Sequence, residues 1–411
     1  MSSDPIDTRP SSGRLPRLRL GLAAGLIFIL GMTQASSSQW VEKEATRETM
    51  RVIFQSLRYL LQVDISGQAF GEASNRDKVL AALRELDDQA AILASHGFVD
   101  DTGGMFLASV LERYSLLLLR SFEQEEPGKV QELLYGITDV CVACHTRLPS
   151  PRDSPVARHF ADSSSIASLP ARKRARIQVA TRRFDDALDT LESLLESQGD
   201  TDTVVLEDAL RSYLILNIRV KGDMERPIPI LEAFEEKLAP DSALRGDLEA
   251  WLASLQHYRD VPFVSDPLQT ARQIMAAADK GDFPSPRSAL VEYIAASSLL
   301  SRYLLSNPAD AMDVSEAHYL LGVAEYRIHR DDWLPQAELY LEISIVLAPD
   351  APWANPAYKL LVEKIDRTYT RLPGGRLPPD VEERLWELRQ AIDSARPPSA
   401  GYPPRAAAGL A

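Results

Sequence analysis

Residues 127–147 read PGKVQELLYGITDVCVACHTR, and this stretch joins a helical pattern to the only two cysteines of the chain. Its apolar residues recur three and four positions apart, which places them on one face of an α-helix. They are Val130, Leu133, Leu134, Ile137, Val140, Cys141 and Cys144. Pro127 suits the first turn of a helix, where a backbone N–H has no intrahelical partner. The stretch therefore predicts a helix that ends with two thiols and a histidine, His145.

Three further helical stretches precede it. Apolar residues at helical spacing run through residues 40–62, 76–95 and 104–122. Asp, Ser, Thr, Gly and Glu fill the breaks between the stretches, as expected of turns. Four helices joined by short connections predict an antiparallel four-helix bundle over residues 40–148.

Composition narrows the class of protein. The chain has 411 residues, 45% of them hydrophobic, which suits two or three folded domains. Its net charge is -14, which argues against a nucleic-acid partner, since phosphate binding requires a basic surface. Two cysteines exclude a disulfide scaffold. No zincin spacing, phosphate-binding glycine loop or nucleophile elbow occurs, so the sequence favours a carrier or binding protein over a catalyst.

The N-terminus has the order of an export signal. Arg14, Arg17 and Arg19 precede an apolar run from Leu20 to Met32, and small residues follow up to Ala35. A spanning helix needs roughly 20 apolar residues, and this run is shorter. Residues 1–36 are therefore predicted to be a cleaved signal peptide or an uncleaved membrane anchor, with the remainder of the chain in the bacterial periplasm.

The chain beyond the first four helices changes in composition. Residues 149–166 are rich in Pro and Ser and predict a linker, and the Pro- and Ala-rich residues 396–411 predict a disordered tail. Residues 167–395 return to helical periodicity, including predicted helices over 204–220, 226–238, 243–257, 267–280 and 286–305.

This second region resembles degenerate tetratricopeptide repeats. Ala175, Phe184 and Ala187 have the small–aromatic–small spacing of a repeat helix pair. A second candidate spans residues 316–350, where Leu321-Gly322, Trp333, Ala337 and Pro349 fall at comparable places. A generic all-helical domain is the alternative. Stacked helix pairs form protein-binding surfaces, so the resemblance implies a protein partner for this region.

Cys141-Val142-Ala143-Cys144-His145 matches the C-x-x-C-H attachment motif of c-type haem. Two thiols one helical turn apart reach the two vinyl groups of one porphyrin, and the adjacent imidazole serves as an iron ligand. A thioredoxin-like redox pair would require a βαβ context, which the sequence lacks. A zinc site would require further cysteine ligands, and the chain has none.

A C-x-x-C-H motif on the last helix of a four-helix bundle resembles the class II cytochromes c, the cytochrome c′ and cytochrome c-556 family. The resemblance covers residues 40–148. It implies thioether bonds from Cys141 and Cys144 to one covalent haem, with His145 as the fifth iron ligand. Family members often dimerise through their first two helices, so a homodimer is also implied unless the second region blocks that face.

The sixth ligand of the haem iron decides between two possible functions. Met50 lies on the apolar stripe of the first helix, where the family places either a methionine or an apolar residue over the distal face. If Met50 binds iron, the site is an electron carrier that serves a redox partner protein. If Met50 is an ordinary core residue, the iron is five-coordinate and binds or senses a gas such as nitric oxide or carbon monoxide. An assembly scaffold with a structural haem is a third possibility. Met105, at the start of the third helix, is expected to be a packing residue.

Overall fold

In this computed structural model, helices joined by turns make up the part of the chain that is described. The structure describes residues 35–65, 72–96, 101–150, 164–197, 203–261, 264–281, 285, 287–329, 336–370 and 377–395. No strand occurs in these ranges, so the all-α prediction is confirmed. Most of the predicted export segment, residues 1–34, and the predicted tail, residues 396–411, lie outside the described residues.

The first four helices match the four predicted stretches. They are α1 (Ala35–Ile65), α2 (Ala73–His96), α3 (Thr102–Glu123) and α4 (Pro127–Thr146). Asp101 caps α3, since its Oδ1 accepts a hydrogen bond from the backbone N–H of Gly104 at 3.1 Å. Pro127 is the first residue of α4, as expected from its missing N–H. None of the described helices is long and apolar enough to cross a bilayer.

Apolar side chains from all four helices pack into one cluster, here called the first core. Representative members are Ile53, Leu57 and Leu60 of α1, Leu83 and Leu86 of α2, Leu107 and Leu118 of α3, and Leu134 and Ile137 of α4. The helix α3 packs along both α2 and α4. Met105 is an exception to the sequence expectation, because 40% of it is exposed. Its position at the amino end of α3 leaves it outside the packed face.

The second region consists of further helices. They are α5 (Ser164–Ala167), α6 (Ala171–Ala180), α7 (Phe184–Ser197), α8 (Thr203–Leu214), a π-helix (Ile215–Lys221), α9 (Pro227–Lys237), α10 (Leu244–His257), α11 (Pro267–Lys280), α12 (Leu290–Leu305), α13 (Ala311–Ile328), α14 (Gln336–Leu347), α15 (Ala354–Thr370) and α16 (Pro379–Ala395). The predicted linker therefore ends in one helical turn, α5, while residues 151–163 lie outside the described residues.

One predicted helix has a different form. The stretch 204–220 begins as α8 but continues as a π-helix from Ile215, with one extra residue in each hydrogen-bonded ring. The π-helix ends at Lys221, and its C-cap residue Gly222 has a φ of 68°, in the left-handed region that glycine adopts without strain. The spacing of apolar residues indicates which face of a helix is buried. It does not indicate whether the turns of that helix are those of an α-helix or the wider turns of a π-helix.

The two candidate repeat pairs are both pairs of packed helices. In the first, α6 and α7 pack together, with Ala175, Phe184 and Ala187 buried. In the second, α13 and α14 approach closely at Gly322, where an added Cβ would lie 2.8 Å from the Leu341 side chain. Trp333, the predicted turn residue of the second pair, lies outside the described residues.

Buried side chains beyond the first core form two more clusters within the unit of residues 45–411. The middle core takes its residues from α6 through α14, and the third core from α14, α15 and α16. Ile177 and Ala180 of α6 belong to the first core, and Val142 of α4 packs against both the first and the middle core. The contact between α4 and α6 is therefore one place where the first four helices join the second region.

Candidate functional site

The last turns of α4 bring the two thiols and the imidazole together. Positions three and four apart lie on the same side of a helix, so Cys141 shares a face with both Cys144 and His145. The helix ends at Thr146, directly after the motif. The prediction that one helix carries all three side chains is thus confirmed by the backbone.

The two cysteines form no disulfide in this structure, and both are partly or fully shielded from solvent. Cys141 is 6% exposed in the first core, and Cys144 is half-buried against that core. Burial raises the pKa of Cys141 to about 12, and the neighbouring thiol of Cys144 adds to the effect. Burial also raises the pKa of Cys144, while the positive charge of Arg147 opposes the shift. Both residues are therefore protonated thiols at neutral pH rather than thiolates.

His145 is held as a neutral imidazole. Burial is the main cause that lowers its pKa to about 4, and the positive charge of Arg182 lowers it further. The backbone of Ala180 and Val179 in α6 contacts the ring and acts in the opposite direction. The ring nitrogen Nδ1 is buried and has no hydrogen-bond partner among the described residues. A neutral imidazole is the form in which histidine binds metal ions.

These residues could hold a c-type haem. The donor set fits, because two thiols one turn apart suit the two covalent bonds and the neutral imidazole suits the iron. In the described part of the chain, no cluster of three or more His, Cys, Asp or Glu side chains could hold a metal ion.

A buried ion pair lies directly behind the motif. The guanidinium of Arg147, two residues after His145, pairs with the carboxylate of Asp101, the cap of α3. Both side chains are largely buried, and Tyr340 of α14 packs beside them. Gly103 makes this approach possible, because an added Cβ there would lie 2.6 Å from the Tyr340 hydroxyl. The pair thus joins the end of α4 to the start of α3 and to the second region.

Helix α6 covers another side of α4. The guanidinium of Arg176 pairs with Asp139 of α4, and Nζ of Lys173 donates to the Tyr135 hydroxyl at 2.8 Å. Together with the apolar contacts of Ile177 and Ala180, these polar contacts seat α6 against the motif-bearing helix. The second region therefore contributes directly to the surroundings of the motif.

A cavity of about 630 Å³ lies between α4 and the inner side of the second region. Asp139, Val142, Ala143 and Thr146 line it from α4. Most of the other lining residues come from α6, α7, α8, the π-helix, α10, α12, α13, α14 and α15. Its volume falls within the roughly 300–1,000 Å³ of small-molecule sites. Cys141, Cys144 and His145 are not among its lining residues. The cavity therefore adjoins the two residues between the cysteines, while the three donor side chains do not line it.

A network of buried charges reaches this cavity at Glu325. Arg219 of the π-helix donates to Glu325 at 2.9 Å and to the hydroxyl of Ser297 at 2.6 Å. Glu325 lines the cavity, and Oε2 of its carboxylate lies 3.6 Å from Nε2 of His329. This network ties three helical segments of the second region together.

Met50, the predicted sixth ligand, is half-buried on α1 and packs against the first core. Cys141, Cys144 and Met50 thus all contact the same apolar cluster. An ordinary core methionine would pack in the same way, so this contact does not distinguish an iron ligand from a packing residue.

The sequence interpretation missed Arg182, Asp101 and Tyr340. Asp101 carried a usable signal, because an Asp followed by Thr-Gly-Gly at the start of an apolar stretch is typical of a helix cap. Tyr340 and Arg182 reach the end of α4 through tertiary packing, which no local pattern reports.

Comparison of the chain with known protein families, curated proteins and solved structures finds no match.

Proposed function

We propose that this chain is an exported, periplasmic c-type cytochrome that carries electrons through one haem bound at the end of α4. Cys141 and Cys144 would form the two thioether bonds, and His145 would be the proximal iron ligand. When bound, the haem supplies one-electron chemistry through the ferric and ferrous states of its iron. The observation that carries the proposal is Cys-Val-Ala-Cys-His within the final turns of one helix.

The surroundings of the motif support this assignment. A buried, neutral His145 needs no deprotonation before it binds iron, because its pKa is lowered to about 4. The apolar first core around Cys141 excludes water from that side of the motif. Exclusion of water and a low local dielectric are the means by which a protein tunes the potential of a bound redox group.

We further propose that α1 to α4 form an antiparallel four-helix bundle of the class II cytochrome kind. The shared first core of these four helices supports this arrangement. For the second region we propose a degenerate tetratricopeptide-like array that holds a protein partner. The buried small–aromatic–small set of Ala175, Phe184 and Ala187 between α6 and α7 supports it.

Absorption spectroscopy tests the proposal. The full chain is produced in a host with a c-type haem maturation system, and spectra of the oxidised and reduced protein are recorded with and without carbon monoxide. We expect haem bands that remain with the polypeptide after denaturation, because the attachment is covalent. The matched control changes both Cys141 and Cys144 to Ala and should lose this retained haem. Wild-type protein without retained haem bands would refute the proposal.

Met50 decides between electron transfer and gas binding. If Met50 ligates iron, the wild-type reduced spectrum is low-spin and insensitive to carbon monoxide, and Met50→Ala makes it high-spin and sensitive. If Met50 only packs, the wild-type protein already binds carbon monoxide and Met50→Ala leaves its spectrum unchanged. Met105→Ala is the control, since Met105 is exposed at the start of α3.

A further inference from the structure

We propose that the cavity between α4 and the second region binds a small organic anion with an apolar body. This site goes beyond the proposed haem and is independent of it, because Cys141, Cys144 and His145 do not line the cavity. Three observations support it: the size of the cavity, the apolar part of its wall, and the charges of the described residues around it.

The cavity has the size and setting of a small-molecule site. Its volume is about 630 Å³, and it lies among helices of both regions of the chain. Ligand sites commonly occupy roughly 300–1,000 Å³ and often lie between helices or where two regions meet. A lone inorganic anion fills only a small part of such a volume. The space therefore favours an organic molecule.

Apolar residues supply the wall that the body of such a molecule would contact. About half of the described lining residues are apolar. They come from several elements and include Val142 of α4, Leu191 of α7, Ile215 of the π-helix and Leu290 of α12. Contact with this wall removes apolar ligand surface from water, which favours a ligand with an aromatic or aliphatic body.

The charged part of the wall has more positive than negative residues. Among the described lining residues, the positive ones are Arg172, Arg176, Arg211, Arg287, Arg327 and Lys364. The negative ones are Asp139, Glu207, Asp208 and Glu325. The whole chain has a net charge of -14, so the charge of these lining residues is opposite in sign to that of the protein. This contrast attracts an anion to the cavity in preference to the rest of the surface.

Two of the lining arginines share one carboxylate. Asp208 of α8 accepts a hydrogen bond from Nε of Arg172 at 2.7 Å and another from Nη2 of Arg211 at 2.7 Å. One carboxylate between two guanidinium groups leaves this trio with a net positive charge. A guanidinium has five N–H donors, so Arg172 keeps donors beyond the one that Asp208 uses.

Arg327 of α13 is the lining residue best placed to pair with a ligand anion. Among the described residues no carboxylate pairs with it, and its guanidinium carbon lies 5.9 Å from the ring centre of Tyr326. The residue is exposed, so a ligand in the cavity can reach it. A planar guanidinium binds a carboxylate through two parallel N–H···O bonds, which are stronger than bonds between neutral groups.

Equilibrium dialysis of the full chain tests the proposal, and it measures binding whether or not haem is attached. The probes are 2-naphthoate and 2-naphthamide, which share one ring system and differ in charge. We expect 2-naphthoate to bind with a Kd below about 1 mM, and 2-naphthamide to bind at least about tenfold more weakly. Acetate has the charge without the apolar body, so an equal concentration of acetate should not displace 2-naphthoate.

Variants of the full chain locate the binding site. Arg327→Gln and Arg172→Gln should each weaken 2-naphthoate binding by roughly three- to tenfold and leave 2-naphthamide within about twofold. Arg174→Gln is the matched control, because Arg174 also lies on α6 but bonds to the carbonyl of Ala167 and does not line the cavity. Ser212→Trp places a large ring at a half-buried lining position and should prevent binding of both probes.

Absence of 2-naphthoate binding at millimolar concentration would overturn the proposal. Equal affinity for the two probes would also overturn it, because the cavity would then select no anion. Unchanged 2-naphthoate affinity in both Arg327→Gln and Arg172→Gln would place the binding outside this cavity and so contradict the assignment. None of these results bears on the haem, whose attachment is tested separately.

Discussion

The first core and the middle core of this protein bury their side chains by different means. In the described parts of α1 to α4, the core holds apolar residues and hydroxyls and no buried carboxylate. The helices that form the middle core also bury Arg219, Asp247, Glu292 and Glu325. Burial in the apolar first core raises the pKa of Cys141 to about 12. Where charges are buried, by contrast, the stability of the fold depends on each charge having a partner of opposite sign. The difference teaches that Cys141 lies in an apolar core, while the end of the motif adjoins the buried pair of Arg147 and Asp101.

The largest effect on stability is expected when a charge buried beside the middle core loses its partner. Glu325→Ala leaves the guanidinium of Arg219 buried without the carboxylate that lies 2.9 Å from it. We expect a loss of about 3–5 kcal/mol in the free energy of unfolding, measured by urea denaturation. The control pairs Glu325→Leu with Arg219→Met, which removes both charges and should be far less destabilising. A loss below about 1 kcal/mol in Glu325→Ala would show that the pair is not buried as described.

The first core should respond to volume rather than to charge. Ile137 of α4 is fully buried one turn before Cys141, so Ile137→Ala leaves a cavity in an apolar surround. We expect a loss of about 2–4 kcal/mol in the free energy of unfolding, measured by urea denaturation of the haem-free chain. Ile137→Val is the matched control and should lose only about 1 kcal/mol. Equal losses in the two variants would contradict close packing at this position.

The smallest effect concerns Glu342, a carboxyl on α14 beside the third core. Burial raises the pKa of Glu342 on α14 to about 7, although Arg384 of α16 lies 3.3 Å from it, and Glu338 adds to the rise. The native state therefore keeps a proton that the unfolded chain releases above its ordinary pKa of 4.5. Stability from this group is present at low pH and is lost as pH rises from about 4.5 through about 7.

Glu342→Gln removes this dependence, since its amide stays neutral. We expect the variant to gain about 1–2 kcal/mol in the free energy of unfolding over wild type at pH 8, and nothing at pH 4. Thermal unfolding of both proteins across this pH range is the measurement. A variant that is less stable than wild type at pH 8 would show that the ion pair with Arg384 outweighs the burial of the carboxylate.

Local signals in the sequence predicted much of the fold. Pro127 marked the start of α4, and the apolar stripes located α1, α2 and α3 because each of these helices buries one face. The π-helix from Ile215 was not predictable, since its segment is buried on all sides and its apolar run continues that of α8. The close contact of α4 with α6 was also missed, because a linker rich in Pro and Ser suggested separate domains.

The candidate site was predictable in its ligands and not in its surroundings. Cys141, Cys144 and His145 are adjacent in sequence, so one helix is enough to bring them together. Arg182 reaches the same place only through the packing of α6 on α4, and Asp101 through its pairing with Arg147. Such contacts depend on tertiary structure and leave no pattern in the residues around them.

The intact mass of the denatured chain, produced with a haem maturation system, tests the central claim most directly. Covalent attachment at α4 predicts a mass above that of the polypeptide by one haem. Change of both Cys141 and Cys144 to Ala should abolish the increase, and Met50→Ala should keep it. A wild-type chain at the mass of the bare polypeptide, under conditions that mature a known c-type cytochrome, would contradict the account.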